Sequence, residues 1–351
     1  MVSKENKTVR VGVVGGAGYT GGELLRLLAS HPEIKLTTVT SRSEAGKKVD
    51  DIWPNLRGKC NLLFSDVAID ELINNCDLVF FATPHGVSME LIPALLDEGI
   101  KVIDLSADFR LKNISDWEKW YGIKHACPDL VKNAVYALPE INRDEIVGAS
   151  LLACPGCYPT SIQLGFLPLV EKNMIDPNFL IANSASGVSG AGKQNNSKFS
   201  FTEISENFKA YSVAGHRHLP EIEQGLNQIS NESVNLTFVP HLLPITRGIH
   251  STLYCKPFDM NVDFQELFEQ RYANEHFVNV LPSGTYPETK IVSGTNFCEI
   301  GIQPISNSGL LAILVVEDNL VKGAAGQAVQ VMNIVYSWPE TTGLNNISLL
   351  L

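Results

Sequence analysis

Positive charge is in the minority in this chain. Its 27 Lys and Arg stand against 38 Asp and Glu, a net charge of −11 over 351 residues. Such a surface repels a phosphate backbone, which argues against a nucleic-acid partner and leaves any anionic ligand to local cations. Long apolar runs are also missing: 44% of residues are hydrophobic, yet no segment could span a bilayer, so no membrane partner is expected. The opening MVSKENKTVR is polar and lacks the apolar centre of a secretion signal. Cysteine is sparse, and its seven copies are odd in number and irregular in spacing, unlike a secreted disulfide framework. A cytoplasmic protein is expected. There is no internal repeat, low-complexity tract or charged tail.

What is present is alternation. Residues 8–14 form a valine-rich β pattern that enters Gly15-Gly16-Ala17-Gly18-Tyr19-Thr20-Gly21-Gly22, and ELLRLLA follows with helical spacing. Strand, glycine turn and helix form the phosphate-cradling start of a Rossmann unit, with Gly15, Gly18, Tyr19, Thr20 and Gly21 against the pyrophosphate. Some glycine loops only make tight turns; the place between a strand and a helix favours the cofactor. The next strand, 34–40, ends at Ser41-Arg42-Ser43. Hydroxyls and an arginine there suit a 2′-phosphate, so NADP(H) is expected over NAD(H), although Arg42 could be an ordinary loop residue.

Further strands at 77–82 and 100–104 each end in a polar loop, Thr83-Pro84-His85-Gly86 and Leu105-Ser106-Ala107-Asp108-Phe109-Arg110, with a helix at 87–96 between them. This predicts an α/β, Rossmann-type doubly wound parallel sheet with ligands outside the carboxyl ends of its strands. The second half reads differently. Strands at 179–185, 234–239, 248–255, 296–303 and 310–316 have few helices between them, which predicts an α+β domain with a mixed or antiparallel sheet. A last helix, 320–336, carries Gly323, Ala324, Ala325, Gly326 and Ala328 and is expected to return to the first domain. The expected division is 1–156 for NADP binding, 157–318 for catalysis and oligomerisation, and 319–351 for the returning helix. A length of 351 residues is more than one core usually supports.

Between the halves stands Cys154-Pro155-Gly156-Cys157-Tyr158-Pro159-Thr160, after an apolar strand at 149–153 and before a helix. A cysteine at a helix start meets the positive end of the helix, which populates its thiolate. The plain alternative is a buried, inert thiol. No second Cys pair follows Cys154 and Cys157 at zinc-site spacing, so no metal is expected.

The segments GGAGYTGGELLRLL, TPHG, DLSADFRL, PGCYPT, SGVSGAGK, HRHLPEIEQ, FVPHLLPITRGI and DNLVKGAAGQAVQ, in this order from about residue 8 to about residue 339, resemble the N-acetyl-gamma-glutamyl-phosphate reductases. Their wider superfamily includes aspartate-semialdehyde dehydrogenase and phosphorylating glyceraldehyde-3-phosphate dehydrogenase. The resemblance implies a Rossmann domain with an inserted α+β catalytic domain, and NADPH as cofactor. The implied reaction is a thioester mechanism at Cys157 on N-acetylglutamyl phosphate, releasing inorganic phosphate, in arginine biosynthesis. It implies a homo-oligomer, dimer or tetramer, and places the acid/base within His216-Arg217-His218 without choosing between His216 and His218. His85 would line the nicotinamide pocket or simply occupy its loop, with Pro84 beside it. Ser186 and Gly187 open a phosphate nest that lacks Walker spacing, and Asn319 matches a position near the nicotinamide. Ser106, Arg110, Lys193, Arg217 and Arg247 would hold the substrate anions, at least one arginine serving instead as a structural ion pair.

One departure is Cys154, where many members have asparagine; turned into the core it would be inert, and a regulatory Cys154–Cys157 disulfide would require close Cβ atoms across a Pro-Gly turn. Two other readings compete. An aspartate-semialdehyde dehydrogenase is disfavoured by HRHLPEIEQ and PGCYPT. A non-enzymatic NADP-binding redox sensor built on Cys154 and Cys157 would not need His216, Arg217, His218 or the other arginines.

The cofactor reading has a direct test. A charge-assisted contact to phosphate contributes roughly 1.5–3 kcal/mol, so Arg42→Ala should weaken NADPH binding about tenfold or more and leave NADH nearly unchanged. Equal affinity of the native protein for both cofactors, measured by titration, would refute it.

Overall fold

The computed structural model describes residues 8–193 and 196–348; residues 1–7, most of the polar opening, lie outside the described residues. The chain divides into two compact units, Met1–Cys154 with Ala328–Leu344, and Pro155–Gln327 with Asn345–Leu351. No described helix is long and apolar enough to cross a membrane.

The first unit holds β1 (Val9–Val14), β2 (Ile34–Thr40), β3 (Phe64–Ser65), β4 (Leu78–Phe81), β5 (Lys101–Asp104), β6 (Val135–Tyr136) and β7 (Leu151–Ala153). They lie in the order β3-β2-β1-β4-β5-β7-β6, parallel at every pairing. All four residues of β4 are buried, as a parallel strand covered on both faces requires. From β1 the chain builds outward on one side through β2 and β3, then returns to add β4 on the other. This reversal opens a crevice at the carboxyl ends of β1 and β4. Gly15 fits the narrow end of that crevice. Its φ is +88°, and a Cβ there would strike the Ala82 carbonyl. The helices Tyr19–Leu28 and Ser88–Asp97 follow β1 and β4. One core cluster gathers Phe81, Ile92, Leu95, Val102 and Trp117, and the Trp117 indole donates to the Ala107 carbonyl at 2.9 Å.

Residues 328–344 complete this unit. The His31 Nε2 meets Asn333 Oδ1 at 2.9 Å, and Arg143 pairs with Glu340 at 2.8 Å. The expected single helix at 320–336 is instead a π turn, Val321–Ala325, followed by an α-helix, Gly326–Val335. Small side chains at Gly323, Ala324 and Ala325 leave the coil free to widen.

The second unit holds β8 (Ile175–Gly187), β9 (Lys209–Ala210), β10 (Leu236–Leu243), β11 (Ile249–Pro257), β12 (Val278–Val280), β13 (Cys298–Ile305) and β14 (Leu310–Glu317). Their order is β12-β13-β14-β11-β8-β10-β9. The sheet is mixed: β8 with β10 and β12 with β13 are parallel, the other pairings antiparallel. Burial alternates along β10 and β11, the pattern of a sheet with one covered face. A helix, Cys157–Glu171, is buried along nearly its whole length and has no polar face. Gly165 lets it approach the sheet: a Cβ there would strike Leu253 and come within 2.9 Å of Val315 Cγ2.

That contact makes a stability prediction. Gly165→Ala overpacks the layer between helix and sheet and should destabilise the protein by about 1–3 kcal/mol, read from denaturant unfolding. Native stability in the variant would show that the interface is looser than described.

Candidate active site

The Pro-Gly turn enters the Cys157–Glu171 helix with Gly156 extended at φ −70° and ψ 164°, so Cys157 is the first helical residue. The Gly156 N–H donates to Glu221 Oε1 at 2.8 Å, and Glu221 is 1% exposed. Glu221 belongs to the Leu219–Ile229 helix, whose entry is His216-Arg217-His218. One buried carboxylate therefore ties the cysteine turn to the histidine turn. Tyr158 adds a second tie, its ring edge-on to His216 at 5.7 Å and to His218 at 5.9 Å.

The Tyr158 hydroxyl donates to the His241 carbonyl at 3.1 Å and accepts from the Tyr211 hydroxyl at 3.2 Å. Burial, joined by the charge of Cys157, pushes Tyr211 up to about 12, and burial raises Tyr158 as well. Both phenols are neutral near pH 7. The rings of His216 and His218 lie 4.9 Å apart, and His216 Nδ1 accepts the His218 N–H at 3.1 Å. That bond leaves the proton of the neutral ring on Nε2. Burial, and then Arg217, push His216 down to about 4, so it is neutral at physiological pH.

Behind the cysteine lies the π turn. A Cβ at Gly323 would come within 2.8 Å of Cys157 Cβ and 2.8 Å of Glu317 Oε1. Glu317 and Lys322 are both fully buried. Alongside, residues 187–189 are strapped to residues 245–248. The Gly187 N–H reaches the Gly248 carbonyl at 2.9 Å, Val188 reaches Ile245 at 2.9 Å, and Ser189 reaches Thr246 at 3.0 Å. Asn319 clamps the strap, accepting from Gly248 N–H at 2.7 Å and donating to Ser189 Oγ at 2.9 Å. Ser186 donates to the Gly187 carbonyl at 3.0 Å. Arg247 pairs with Asp318 at 3.2 Å, and the same carboxylate accepts Gly294 N–H at 2.7 Å. Arg217 and Lys193 are exposed. The second unit thus gathers Cys157, His216, His218 and Arg217 around one turn, with Ser186, Gly187, Arg247 and Asn319 in the neighbouring strap.

The remaining candidates belong to the first unit. A Cβ at Gly21 would strike the Gly15 carbonyl, whereas at Gly18 the nearest atom would be 3.7 Å away. Gly18 therefore leaves open space at the start of the Tyr19–Leu28 helix, where Tyr19 and Thr20 supply the first-turn N–H groups. This is a cradle suited to a phosphate. After β2, Ser41 is buried, its hydroxyl 3.4 Å from that of Ser43, and Arg42 is exposed. Pro84 and His85 are exposed after β4, and the His85 ring stands edge-on to Tyr121 at 4.6 Å. Ser106 is 3% exposed, its hydroxyl turned inward to Asp104 at 2.7 Å, and buried Arg110 donates to the Leu105 carbonyl at 2.7 Å. Cys154 is fully buried, and burial pushes its thiol up, which makes it a poor redox partner. Cys154 and Cys157 are both free thiols.

Glu221, Tyr158 and Tyr211 carry no role in the sequence reading, and Gly323 stands there only as part of a small-residue face. Glu221 lay in view within HRHLPEIEQ, three residues after His218 and so on its side of a helix. Tyr211 lies in an irregular stretch with no periodic signal.

Comparison with known proteins bears on the family and the fold. Family models match two segments: "Semialdehyde dehydrogenase, NAD binding domain" over residues 10–149 and "Semialdehyde dehydrogenase, dimerisation domain" over residues 157–319. The N-acetyl-gamma-glutamyl-phosphate reductase of Saccharophagus degradans is 57% identical over 345 residues, covering 97% of this chain and 99% of its own. That of Nitrosomonas europaea is 57% identical over 342 residues with the same coverage. Among solved structures, aspartate semialdehyde dehydrogenase II of Vibrio cholerae has a TM-score of 0.72 at 16% identity, over 94% of this chain and 99% of that one. The Candida albicans aspartate semialdehyde dehydrogenase with NADP has a TM-score of 0.71 at 17% identity, over 93% and 98%. These structural matches speak to the fold alone.

The close packing at Gly323 yields a prediction. Gly323→Ala pushes a methyl group against Cys157, so kcat should fall at least tenfold while affinity for the nicotinamide cofactor, measured by fluorescence titration, stays within about twofold. Unchanged kcat would mean that the turn yields without moving the cysteine.

Proposed function

The chain belongs to the N-acetyl-gamma-glutamyl-phosphate reductase family, and we propose that it works through a Cys157 thioester with NADPH as the hydride donor. It is an oxidoreductase of arginine biosynthesis that converts N-acetyl-L-glutamyl 5-phosphate to N-acetyl-L-glutamate 5-semialdehyde and phosphate. The observation that supports the mechanism is the tie from Gly156, next to Cys157, through Glu221 to the helix entered at His216-Arg217-His218.

The Cys157 thiolate attacks the acyl carbon; a C–S bond forms, the C–O bond to phosphate breaks, and phosphate leaves. An acyl phosphate is already activated, so no further group is needed to drive this step. The Cys157 N–H, at the positive end of its helix, stabilises the oxyanion. A histidine takes the thiol proton and delivers it to the departing phosphate oxygen. We assign that role to His218. An acid/base works best with a pKa near the working pH, and His216 lies far below it, with Nδ1 engaged by the His218 N–H. His216 is then a neutral prop that orients His218. NADPH, when bound, supplies the hydride that reduces the thioester carbonyl; the hemithioacetal on Cys157 then collapses to the aldehyde and returns the thiolate.

Gly15 to Gly21 hold the cofactor pyrophosphate, and Ser41 with Arg42 hold its 2′-phosphate. Exposed Arg217 and Lys193 bind the substrate anions, whereas Arg247 is engaged by Asp318. The protein acts in the cytoplasm as a homo-oligomer built through its second unit.

The test is phosphate-dependent NADP reduction with N-acetylglutamate semialdehyde, run beside aspartate semialdehyde. Cys157→Ser should abolish turnover and keep NADPH binding, and Cys154→Ser should retain substantial activity. His218→Asn should lower kcat at least a hundredfold, and His216→Asn should lower it less. Preference for aspartate semialdehyde, or an active Cys157→Ser, would overturn the assignment.

A further inference from the structure

At the carboxyl end of β5, two fully buried carboxylates, Asp104 and Asp108, meet two buried serines, Ser88 and Ser106. The Ser88 hydroxyl lies 2.7 Å from Asp108 Oδ2, 3.1 Å from Ser106 Oγ and 3.2 Å from Asp104 Oδ2. Ser106 Oγ lies 2.7 Å from Asp104 Oδ2. These are four oxygen–oxygen contacts, and the two hydroxyls supply only two protons. A third proton on Asp104 resolves the cluster into a chain with one direction: Asp104 donates to Ser106, Ser106 to Ser88, and Ser88 to Asp108. Only the longest contact, at 3.2 Å, is then left without a proton. The chain ends on an Asp108 carboxylate whose two oxygens share the Gly86 N–H at 3.0 and 2.9 Å.

Gly86 closes the loop after β4 that carries Pro84 and His85. We propose that Asp104 is held as the neutral acid, and that the Asp104–Ser106–Ser88–Asp108 chain is a clasp that positions this loop for the cofactor. Asp104 and Asp108 are positioning residues: they act through Gly86 and touch no reactant. The loop's part in the proposal rests on the cofactor reading given above.

Two ionised carboxylates this close and this buried would repel, and a proton shared along hydroxyls removes the conflict. Burial first, and then Asp108, push Asp104 up to about 7, against the opposing pull of Ser106 and Arg110. The other titratable groups facing the cluster do not replace that proton. Burial pushes Cys127 up to about 11 and raises Cys154, so both thiols are neutral. The His125 ring meets the Asp108 carbonyl through Nε2 at 2.7 Å and accepts the Cys127 N–H at Nδ1, an arrangement of the neutral ring. The sign follows. In the unfolded chain Asp104 ionises near 4, so the fold holds an extra proton between about 4 and about 7 and loses stability as pH rises through that window. Above it the clasp carries two charges and loosens.

Infrared spectroscopy of the full chain reads the proton directly. The carbonyl band of a buried protonated carboxyl should be present at about pH 6, fade as pH rises through about 7, and be missing from Asp104→Asn, whose amide donates in the same direction. Absence of the band in the native protein, or its survival in Asp104→Asn, overturns the proposal. Should Asp104→Asn not fold, Asp108→Asn serves: removing the repelling charge should make the band fade at lower pH, and an unshifted band overturns it. For the loop, native NADPH affinity relative to that of Asp104→Asn should fall up to about tenfold between about pH 6 and about pH 8.5. A constant ratio overturns the positioning role. If the native protein binds no NADPH while the band behaves as stated, the cofactor reading fails and the neutral acid stands.

Discussion

The hydrogen bond from the Gly156 N–H to the Glu221 carboxylate is the constraint on which the chemistry depends. A cysteine at a helix start is only a nucleophile in waiting; it needs a proton acceptor at a fixed place. The Leu219–Ile229 helix supplies that place because Glu221 lies one turn inside it, while the histidines stand at its entry. A charged acceptor bonded to a backbone donor in a buried setting is strong and directional, and it is expensive to break. The turn can therefore not drift away from the histidines without breaking that buried bond.

Much of this was legible in the sequence because its signals are local. The glycine turn after β1, the polar ends of β4 and β5, and the Pro-Gly turn before Cys157 are each carried by adjacent residues. Their placement follows from strand, turn and helix chemistry. The change from parallel to mixed sheet was also readable, because helices become rare after β8. What stayed hidden depends on distance along the chain. The tie between Gly156 and Glu221 spans 65 residues, and the approach of Gly323 to Cys157 spans more than twice that. No periodicity reports such a meeting. The strands β3, β6, β9 and β12 escaped for another reason: two or three residues are too few to show a period. The last helix looks continuous in the sequence because a π turn has nearly the composition of an α turn.

The arginines illustrate how motif membership and physical role separate. Arg110, Arg217 and Arg247 all lie in segments that resemble the family, and on sequence alone they are equivalent. In the fold, Arg247 is paired with Asp318, Arg110 is buried against the Leu105 carbonyl, and Arg217 is exposed beside the histidines. In a chain with a net charge of −11, an exposed cation beside the histidines is a scarce resource for recognising an anion.

The distribution of thiols has a practical side. Five of the seven cysteines are buried, and Cys127, only partly covered, is held protonated by burial. Of the two partly covered thiols, each at a helix start, an electrophile meets Cys127 in its protonated, poorly reactive form, which leaves Cys157 as the favoured target. A covalent label delivered at low excess would report on one position without any engineering of the other six cysteines. Its stoichiometry would serve as a count of correctly folded active sites.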